Sequence, residues 1–341
     1  MNLVTGATDI LGSHVVYTLL SKGELVTAAR QKNSNLKRTE LLFSYYTPNY
    51  HELFSKIKWV EMDVCDIFSI DDALDGVSNV YHCAGMVSFD RKDRKKLMDI
   101  NETGTRNIVN ACLNKSGINL CHVSSIATVN NLDHKTMLDE SVFWKTSGSE
   151  SDYAISKYNA EREVWRGIEE GLNAVIVNPG VILGPGFWTQ SSGRLFSAGY
   201  RGYKFFTKGR AAYVGAMDVA SIMHQLMLER HFGNRYILVE DNYPIAEVFS
   251  RINEGFGHKG PTIQVGRHLL NLALLMEKFW KMLSRGERTL SKALVNAAFS
   301  QQNFSNKKIK ETLRVDFRPT AQVIEETCKL CLLEGRKGPK P

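Results

Sequence analysis

The strongest chemical signal in this sequence is a tyrosine followed four residues later by a lysine, Tyr153 and Lys157. A spacing of four places both side chains on the same face of a helix. The pKa of a free tyrosine is near ~10, and an adjacent ammonium favours the phenolate and brings that pKa towards neutral pH. The pair therefore predicts a proton-transfer site in which Tyr153 is the acid or base and Lys157 tunes it.

Two serines precede this pair, at the end of an apolar run that starts at Leu120. Either Ser124 or Ser125 is able to hydrogen-bond a reacting oxygen and polarise it. Tyrosine and lysine at this spacing are common on helices, so the serine and the chain order add specificity that the pair lacks. Together the three residue types predict an oxidoreductase that acts on a carbonyl or an alcohol.

A glycine-containing turn, Thr5 to Gly12, lies between the first strand-like run and the first helix-like run. Glycine lets backbone N–H groups and the helix N-terminus approach a pyrophosphate closely. Its place at the first strand-to-helix connection of an alternating chain strengthens an otherwise weak signal. We therefore predict that this turn binds a dinucleotide. The residues expected to contact the cofactor here are Gly6, Thr8, Asp9, Ile10, Leu11 and Gly12.

The cofactor's ribose is expected to meet the end of the second strand-like run, which closes on Arg30. An acidic residue at that point selects NAD by accepting a hydrogen bond from the ribose 2′-hydroxyl. None is present, and an arginine suits a 2′-phosphate. We therefore favour NADP(H) as the cofactor and keep NAD(H) as the alternative. Basic residues that would assist Arg30 are Lys32, Lys37 and Arg38.

These residues require a scaffold of alternating strands and helices, and the first half of the chain has that pattern. Short apolar runs without period-two alternation predict buried parallel strands. They are Leu3 to Thr5, Leu25 to Ala29, Lys58 to Met62, Val77 to Cys83, Leu120 to Ser124 and Ala174 to Val177. Helical periodicity is clearest from Leu97 to Leu113 and from Tyr153 to Glu170. The pattern predicts an α/β protein with a doubly wound parallel sheet, a Rossmann fold.

The character of the chain changes after Gly180, where glycine, proline and aromatic residues crowd the stretch from Gly184 to Tyr213. We predict a dinucleotide-binding domain over residues 1–183, a smaller, mostly helical substrate lobe over 184–334, interleaved with it in space, and a frayed tail over 335–341. The lobe includes an amphipathic stretch from Leu269 to Leu283. Aromatic groups that favour an apolar substrate, if they are not core, are Phe187, Trp188, Phe196, Phe205, Phe206 and Trp280.

Taken together, these motifs resemble those of the extended short-chain dehydrogenase/reductases, within the NAD-dependent epimerase/dehydratase family. The similarity runs from Leu3 to Thr327 and is closest to the dihydroflavonol reductase and 3β-hydroxysteroid dehydrogenase subgroup. It implies that Ser125, the second serine, holds the substrate oxygen and that Lys157 also binds the nicotinamide ribose. The chain departs from the family's T-G-x-x-G-x-x-G motif at Asp9, which stands where the middle glycine is expected. A carboxylate there would repel the pyrophosphate.

Other motifs resemble family elements around the cofactor. The resemblance implies that Asp63 accepts a hydrogen bond from the adenine amino group, that Asn101 holds the fourth and fifth strands in register, and that Asp218 caps a helix. His82 is expected to be a packing residue. The remaining positions implied to line the cofactor site are Val64, Cys83, Ala84, Gly85, Pro179, Gly180 and Val181.

Two alternative functions remain open at this stage. A nucleotide-sugar epimerase or dehydratase uses the same catalytic residues with tightly held NAD and places basic residues in the C-terminal lobe for a substrate diphosphate. Residues of that kind are Arg194, Arg201, Lys204 and Arg210. A nucleotide-binding scaffold or sensor with impaired catalysis is the second alternative, and Asp9 is the residue that supports it.

The composition sets outer bounds on these functions. The 341 residues are 43% hydrophobic and 23% charged, with a net charge of +7, which is ordinary for a soluble globular protein. The chain start lacks a signal-peptide pattern, and no apolar run reaches the ~18–20 residues that span a bilayer. The six cysteines lack zinc-ligand spacing and are expected to be buried thiols, with no metal site. We expect a cytoplasmic homodimer with a small-molecule substrate, no nucleic-acid partner and no stable membrane insertion.

Overall fold

The computed structural model describes residues 1–129, 137–146, 148, 150–274 and 291–335. Its centre is a seven-stranded sheet in the order β11-β7-β5-β4-β1-β2-β3, in which every pair of neighbours is parallel. Its strands are β1 (Asn2–Thr5), β2 (Val26–Arg30), β3 (Lys58–Glu61), β4 (Asn79–His82), β5 (Asn119–Val123), β7 (Asn173–Pro179) and β11 (Asn234–Leu238). This arrangement confirms the predicted doubly wound α/β fold.

Shorter strands form three small sheets beside the central one. They are β6 (Met137–Leu138), β8 (Val181–Leu183), β9 (Phe205–Phe206), β10 (Arg210–Gly215), β12 (Asp241–Pro244), β13 (Ile263–Gln264) and β14 (Asn303–Phe304). The largest of the three has the order β12-β10-β8, and the other two pair β13 with β9 and β14 with β6.

Helices cover both faces of the central sheet and build most of the smaller lobe. They are α1 (Ile10–Ser21), α2 (Leu36–Ser44), α3 (Tyr50–Ser55), α4 (Ile67–Ala73), α5 (Arg94–Leu97), α6 (Gly104–Asn114), α7 (Asp152–Glu169), α8 (Gly193–Tyr200), α9 (Ala216–Leu228), α10 (Ile245–Gly255), α11 (Lys292–Ala298), α12 (Lys307–Leu313) and α13 (Thr320–Gly335). Residues 267–274 are also helical. Within the described ranges, no helix is both long and apolar enough to cross a membrane.

The inner strands carry apolar residues at successive positions because the helices bury both of their faces. On one face α1 and α9 pack together, with Val15 and Met223 in the same core cluster as Val175 of β7. On the other face α6 and α7 cover the sheet through residues such as Ile108 and Val164. Each apolar side chain removed from water in this way contributes about 1.5–3 kcal/mol.

A second, smaller core lies between α8, α10, α13 and the β8–β10–β12 sheet. Phe196 and Val248 are at its centre and are fully buried. Phe187 is buried in the core of the larger sheet instead. These two aromatic residues are therefore packing groups and not pocket walls. The lobe contains the predicted helices together with short strands that the sequence did not predict.

Predicted and observed elements agree to within one or two residues at most ends, with two local differences. The predicted helix over Leu97 to Leu113 widens into a π-helix at Met98–Thr103 before α6 begins. The predicted amphipathic stretch Leu269 to Leu283 is helical up to residue 274, and its remainder, with Trp280, lies outside the described residues. Most of the predicted frayed tail, from residue 336 onward, also lies outside them.

The role predicted for Asp218 is wrong. Gly215 is the N-cap of α9, so Asp218 lies inside the first turn of the helix. Its carboxylate accepts a hydrogen bond from Arg318 Nε at 3.0 Å. The residue therefore ties α9 to the segment that precedes α13, because the helix starts earlier than the apolar periodicity indicates.

Candidate active site

The predicted site residues gather at one edge of the central sheet. The strand order reverses between β1 and β4, because β2 and β3 continue from β1 in one direction and β5 and β7 continue from β4 in the other. Ligands of open α/β sheets bind in the crevice at the carboxyl ends of the strands at such a reversal. The glycine turn follows β1, the segment 83–85 follows β4, and Ser125 follows β5.

The glycine turn is built from close backbone packing. Gly6 has φ +63°, and a Cβ atom placed on it would lie 2.7 Å from the backbone nitrogen of Ala84. A Cβ atom on Gly12 would lie 2.0 Å from the carbonyl oxygen of Gly6. Only glycine fits at both points. The turn thus brings the start of α1 against the end of β4 and leaves backbone N–H groups for a phosphate, which fits the dinucleotide that the motif implies.

Several residues predicted to contact the cofactor in and near this turn could offer it only backbone atoms. The side chains of Ile10, Leu11 and Val64 are buried in the core. Thr8 is half-buried and its hydroxyl donates to Ser34 Oγ at 3.2 Å. The Thr8–Ser34 contact closes the loop after β2 against the glycine turn.

Asp9 is the N-cap residue of α1 in an extended conformation (φ −100°, ψ 168°), and its side chain makes no capping hydrogen bond. The side chain is exposed in the crevice. Burial is the main cause of the raised pKa of the nearby Cys83 thiol, and the negative charge of Asp9 adds to it. The protein atoms around the Asp9 carboxyl partly desolvate it and raise its pKa to about 6. The position that replaces the family's middle glycine is therefore an unpaired carboxyl at a helix N-terminus.

The three predicted catalytic residues come together. Tyr153 and Lys157 lie in the first two turns of α7, whose start is capped by Ser151 through a 3.0 Å bond from Ala154 N. Lys157 is 5% exposed, and its Nζ donates to the Val123 carbonyl at 2.9 Å. Ser125 follows β5, its Oγ accepts from Ala127 N at 3.1 Å, and the side chain lies near enough to Tyr153 to act on the pKa of the phenol.

The pKa of Tyr153 shifts in the direction opposite to the one that the sequence predicted. Burial raises the pKa of Tyr153, and the nearby Ser125 hydroxyl opposes that rise only in part. Burial lowers the pKa of Lys157 to about 8, and the neighbouring Cys83 and Glu161 act in the opposite direction. The expected lowering of the tyrosine pKa by Lys157 is absent because Nζ is directed at the end of β5. Tyr153 therefore holds its proton at neutral pH.

The loop after β4 is held against α7 by Asn101. Its Oδ1 accepts from Met86 N at 2.7 Å, and its Nδ2 donates to the Met86 carbonyl and to Ser156 Oγ at 2.9 Å each. The predicted role of Asn101, holding the fourth and fifth strands in register, is therefore wrong. The residue lies in the π-helix, which turns its side chain towards the loop that carries Gly85.

His82 is a buried packing residue, as the sequence indicated. Its ring nitrogens contact Thr5 Oγ1 at 2.8 Å and Thr105 Oγ1 at 3.1 Å. Thr5 Oγ1 also accepts from Ala84 N at 3.0 Å. This chain of contacts links β1, β4 and α6 directly beneath the crevice and fixes the segment Cys83, Ala84 and Gly85.

The outer end of the crevice is formed by β2 and β3. Arg30 donates to Glu61 Oε1 at 2.9 Å and to the carbonyls of Gln31 and Lys32. Glu61 is the residue that sequence reasoning missed, because pairing of Arg30 with it depends on the register of β2 and β3. Asp63 is exposed, and its carboxylate accepts from Cys65 N at 2.9 Å.

The wall after β7 is formed by Pro179, Gly180 and Val181. A Cβ atom on Gly180 would lie 2.5 Å from the Ala212 carbonyl, so this turn packs directly on β10. Two of the basic residues considered for a substrate diphosphate are bound elsewhere. Arg210 donates to Asn303 Oδ1 and to the Asn242 carbonyl, and Arg194 donates to the Thr189 carbonyl.

The cysteines are all free thiols. Four of them are buried as predicted, Cys83 is half-buried in the crevice, and Cys65 is exposed. Burial raises the pKa of the Cys83 thiol, so it stays protonated at neutral pH and is a weak nucleophile.

Comparison with known proteins agrees with this geometry. A family model described as the NAD dependent epimerase/dehydratase family matches residues 2–236. The chain is 29% identical over 280 residues to sterol demethylase protein B of Methylococcus capsulatus, covering 81% of this chain and 80% of that protein. It is 28% identical over 298 residues to a putative dihydroflavonol 4-reductase of Synechocystis, covering 83% and 80%. The crystal structure of gox2253 matches with a TM-score of 0.80 and 25% identity over 98% of this chain and 99% of that one.

Proposed function

This chain belongs to the NAD dependent epimerase/dehydratase family and is an NAD(P)-dependent oxidoreductase of the extended short-chain dehydrogenase/reductase type, and we propose that it interconverts a carbonyl and an alcohol of an apolar small molecule, with NADP(H). One observation carries the proposal. Tyr153, Ser125 and the buried Lys157 converge at the carboxyl ends of the strands, beside a glycine turn that fits a dinucleotide.

The residues divide the work of the reaction between them. A bound nicotinamide cofactor supplies or accepts the hydride. Tyr153 donates the proton to the substrate oxygen during reduction, because burial raises its pKa and keeps the phenol protonated, although the same rise makes it a weaker acid. Ser125 hydrogen-bonds the same oxygen and polarises it. Lys157, with a pKa of about 8, is mostly an ammonium at neutral pH and holds the ribose hydroxyls.

A preference for NADP(H) is supported by the charges at the outer end of the crevice. Arg30 ends β2 where an acidic residue would select NAD. The half-buried Arg38 has no side-chain ion pair or hydrogen bond within the part of the chain that the structure describes. Glu61 competes with a 2′-phosphate for Arg30, and its side chain is 53% exposed, so the pair stabilises the fold by at most about 1 kcal/mol.

Replacement of Glu61 with glutamine is expected to raise the affinity for NADPH about two- to fivefold, because Arg30 is then free for the phosphate. Replacement of Arg30 with alanine is expected to lower it tenfold or more, by loss of a charge-assisted bond of about 1.5–3 kcal/mol. Titration of cofactor fluorescence measures both. The affinity for NADH should change little in either variant.

The surface pair Arg251 and Glu247, with the same 2.9 Å separation, provides matched control variants. Glutamine at 247 and alanine at 251 should leave the affinities for both cofactors unchanged. An equal loss of NADPH and NADH affinity on removal of Arg30 would contradict the 2′-phosphate assignment and favour NAD as the cofactor.

An apolar substrate is supported by side chains next to Tyr153. Val87 is 53% exposed and Phe89 is 37% exposed in the loop after β4. The Phe89 ring meets the Tyr153 ring edge to face, with centroids 5.9 Å apart. Such groups in open contact with the crevice favour an apolar ligand. The names of two relatives, which refer to a sterol and to a dihydroflavonol, fit the same class.

The proposal is tested by following the oxidation of NADPH by its absorbance with a panel of aromatic and alicyclic ketones and aldehydes, and with UDP-glucose in parallel. Net NADPH consumption with an apolar carbonyl compound supports the proposed reaction. Turnover of the sugar nucleotide without net change in cofactor would contradict it and establish an epimerase. If the protein binds NADPH tightly but turns over none of these compounds, the alternative of a nucleotide-binding scaffold without catalysis is favoured.

A further inference from the structure

A buried carboxylate, Glu161, lies on α7 one helical turn beyond Lys157 and two turns beyond Tyr153. It is 2% exposed. One of its oxygens, Oε2, accepts from Ser124 Oγ at 2.7 Å, from Thr128 Oγ1 at 2.9 Å and from Asn178 Nδ2 at 2.9 Å. Three separate elements, the end of β5, the turn after it and β7, therefore meet on this single oxygen.

These partners hold the backbone of Ser125 as well. The Ser125 carbonyl lies 2.9 Å from Thr128 Oγ1 and 3.2 Å from Asn178 Nδ2. The Ser124 amide donates to the Val177 carbonyl at 2.8 Å. The corner formed by the two serines is thus fixed on three sides, and the Ser125 side chain also accepts from Ala127 N at 3.1 Å.

The second oxygen of Glu161 connects this corner to a more distant segment. Oε1 accepts from Arg235 at 3.1 Å and from Trp165 Nε1 at 3.4 Å. Arg235, in β11, also donates to the carbonyls of Glu140 and Val142. The ion pair is desolvated, with 14% and 3% of the two side chains exposed. Loss of one partner of such a pair is strongly unfavourable because the other charge stays buried.

The negative charge of Glu161 also acts on the catalytic lysine. Burial lowers the pKa of Lys157, and Glu161 is one of the two groups that oppose this. A spacing of four on α7 brings the two side chains onto the same helix face. Glu161 thereby favours the ammonium form of Lys157 while it holds the serine corner in place.

We propose that Glu161 is a positioning residue, which holds Ser125 in place relative to Tyr153 without touching substrate or cofactor. The proposal rests on the proposed function, because it assigns Glu161 to the support of that reaction's proton donor. A purely structural carboxylate would affect stability alone. A positioning carboxylate changes kcat and the pH dependence of the rate as well.

The test compares E161Q with E163Q. Glu163 lies on the same helix but pairs with Arg166 at 2.9 Å on the outer side. In E161Q we expect kcat to fall tenfold or more, since a displacement of about 1 Å costs up to ~10²-fold, with the Kd for NADPH unchanged. The basic limb of the pH–kcat profile should move about one pH unit towards lower pH, because Lys157 loses its proton earlier. E163Q should match the unaltered protein.

A second measurement is independent of turnover. Hydrogen exchange of the backbone amides at 124–129 should accelerate at least about tenfold in E161Q and not in E163Q. If E161Q does not fold, S124A and T128V replace it. S124A removes the Ser124 bond to Glu161, and T128V removes the contacts of the Thr128 hydroxyl with Glu161, with the Ser125 carbonyl and with Asn178. Both leave the ion pair with Arg235. Each should lower kcat severalfold and accelerate the same amides.

The outcomes separate this inference from the proposed function. Unchanged kcat, pH profile and exchange in E161Q would overturn the positioning role, whatever reaction the enzyme catalyses. Lower kcat with unmoved pH profile and unmoved exchange would overturn it as well. If the unaltered protein reduces no carbonyl compound, the proposed function fails, and the exchange rates alone decide whether Glu161 holds the serine corner.

Discussion

Replacement of Tyr153 with phenylalanine is expected to lower kcat/KM for carbonyl reduction by about 10²–10⁴-fold, the usual contribution of a positioned proton donor. The phenol lies beside Ser125 and Lys157, and burial raises its pKa. The affinity for NADPH and the melting temperature should change little, because the ring and its contact with Phe89 are retained. Steady-state kinetics and cofactor titration measure the two effects.

Tyr158 provides the matched control, since it lies on the same helix and its ring stacks on Trp144 with centroids 4.6 Å apart. Its replacement with phenylalanine keeps that stacking and should leave kcat/KM within about twofold, as for most surface changes. Substantial residual activity in the Tyr153 variant, above one tenth of the original, would show that another group donates the proton.

Replacement of Asp9 with glycine is expected to raise the affinity for NADPH about tenfold or more at pH 7.5. The carboxyl has a pKa of about 6, so it is charged at that pH and repels the pyrophosphate that the helix N-terminus attracts. Removal of a like charge within a few ångströms is worth on the order of 1–3 kcal/mol at a partly exposed site. Fluorescence titration with NADPH gives the two dissociation constants.

The pH dependence of that gain has a definite sign. Below pH 6 the Asp9 carboxyl is mostly neutral, so the unaltered protein should bind NADPH nearly as tightly as the variant. The difference in NADPH affinity should grow as the pH rises through about 6. The 2′-phosphate of NADPH titrates in the same pH range and affects both proteins alike. The ratio of the two dissociation constants is therefore the quantity to plot against pH. Exchange of Asp9 for asparagine isolates the charge. A gain with glycine and none with asparagine would show that the side chain obstructs the phosphates by its size.

The sequence predicted the fold, and it placed Ser125, Tyr153 and Lys157 on elements that meet in the structure, for identifiable reasons. The strands were predicted from short apolar runs without period-two alternation, because a strand that is covered on both faces buries its successive side chains. The spacing of Tyr153 and Lys157 and the position of Ser125 after β5 depend on local geometry, which short sequence distances fix. The glycine turn was readable for the same reason, since Gly6 and Gly12 are needed where backbone atoms touch.

The features that the sequence did not predict depend on distances between elements far apart in the chain. The contact of Arg30 with Glu61 spans 31 residues, and that of Glu161 with Arg235 spans 74. The pKa of Tyr153 was predicted to fall and instead rises, because burial outweighs the charge of a lysine that is directed elsewhere. Asn101 was misassigned for a similar reason, since its partners Met86 and Ser156 depend on the path of the π-helix.

The place of β11 in the central sheet has a consequence for how the protein is made. This strand pairs with β7 although β8, β9 and β10 lie between them in the chain, and α9, just before it, covers α1. When only residues 1–183 have left the ribosome, the edge of β7 is unpaired and the apolar face of α1 is uncovered. Exposed strand edges and apolar faces of this kind promote aggregation. We expect a fragment ending at 183 to be insoluble, and folding during synthesis to await residue 238.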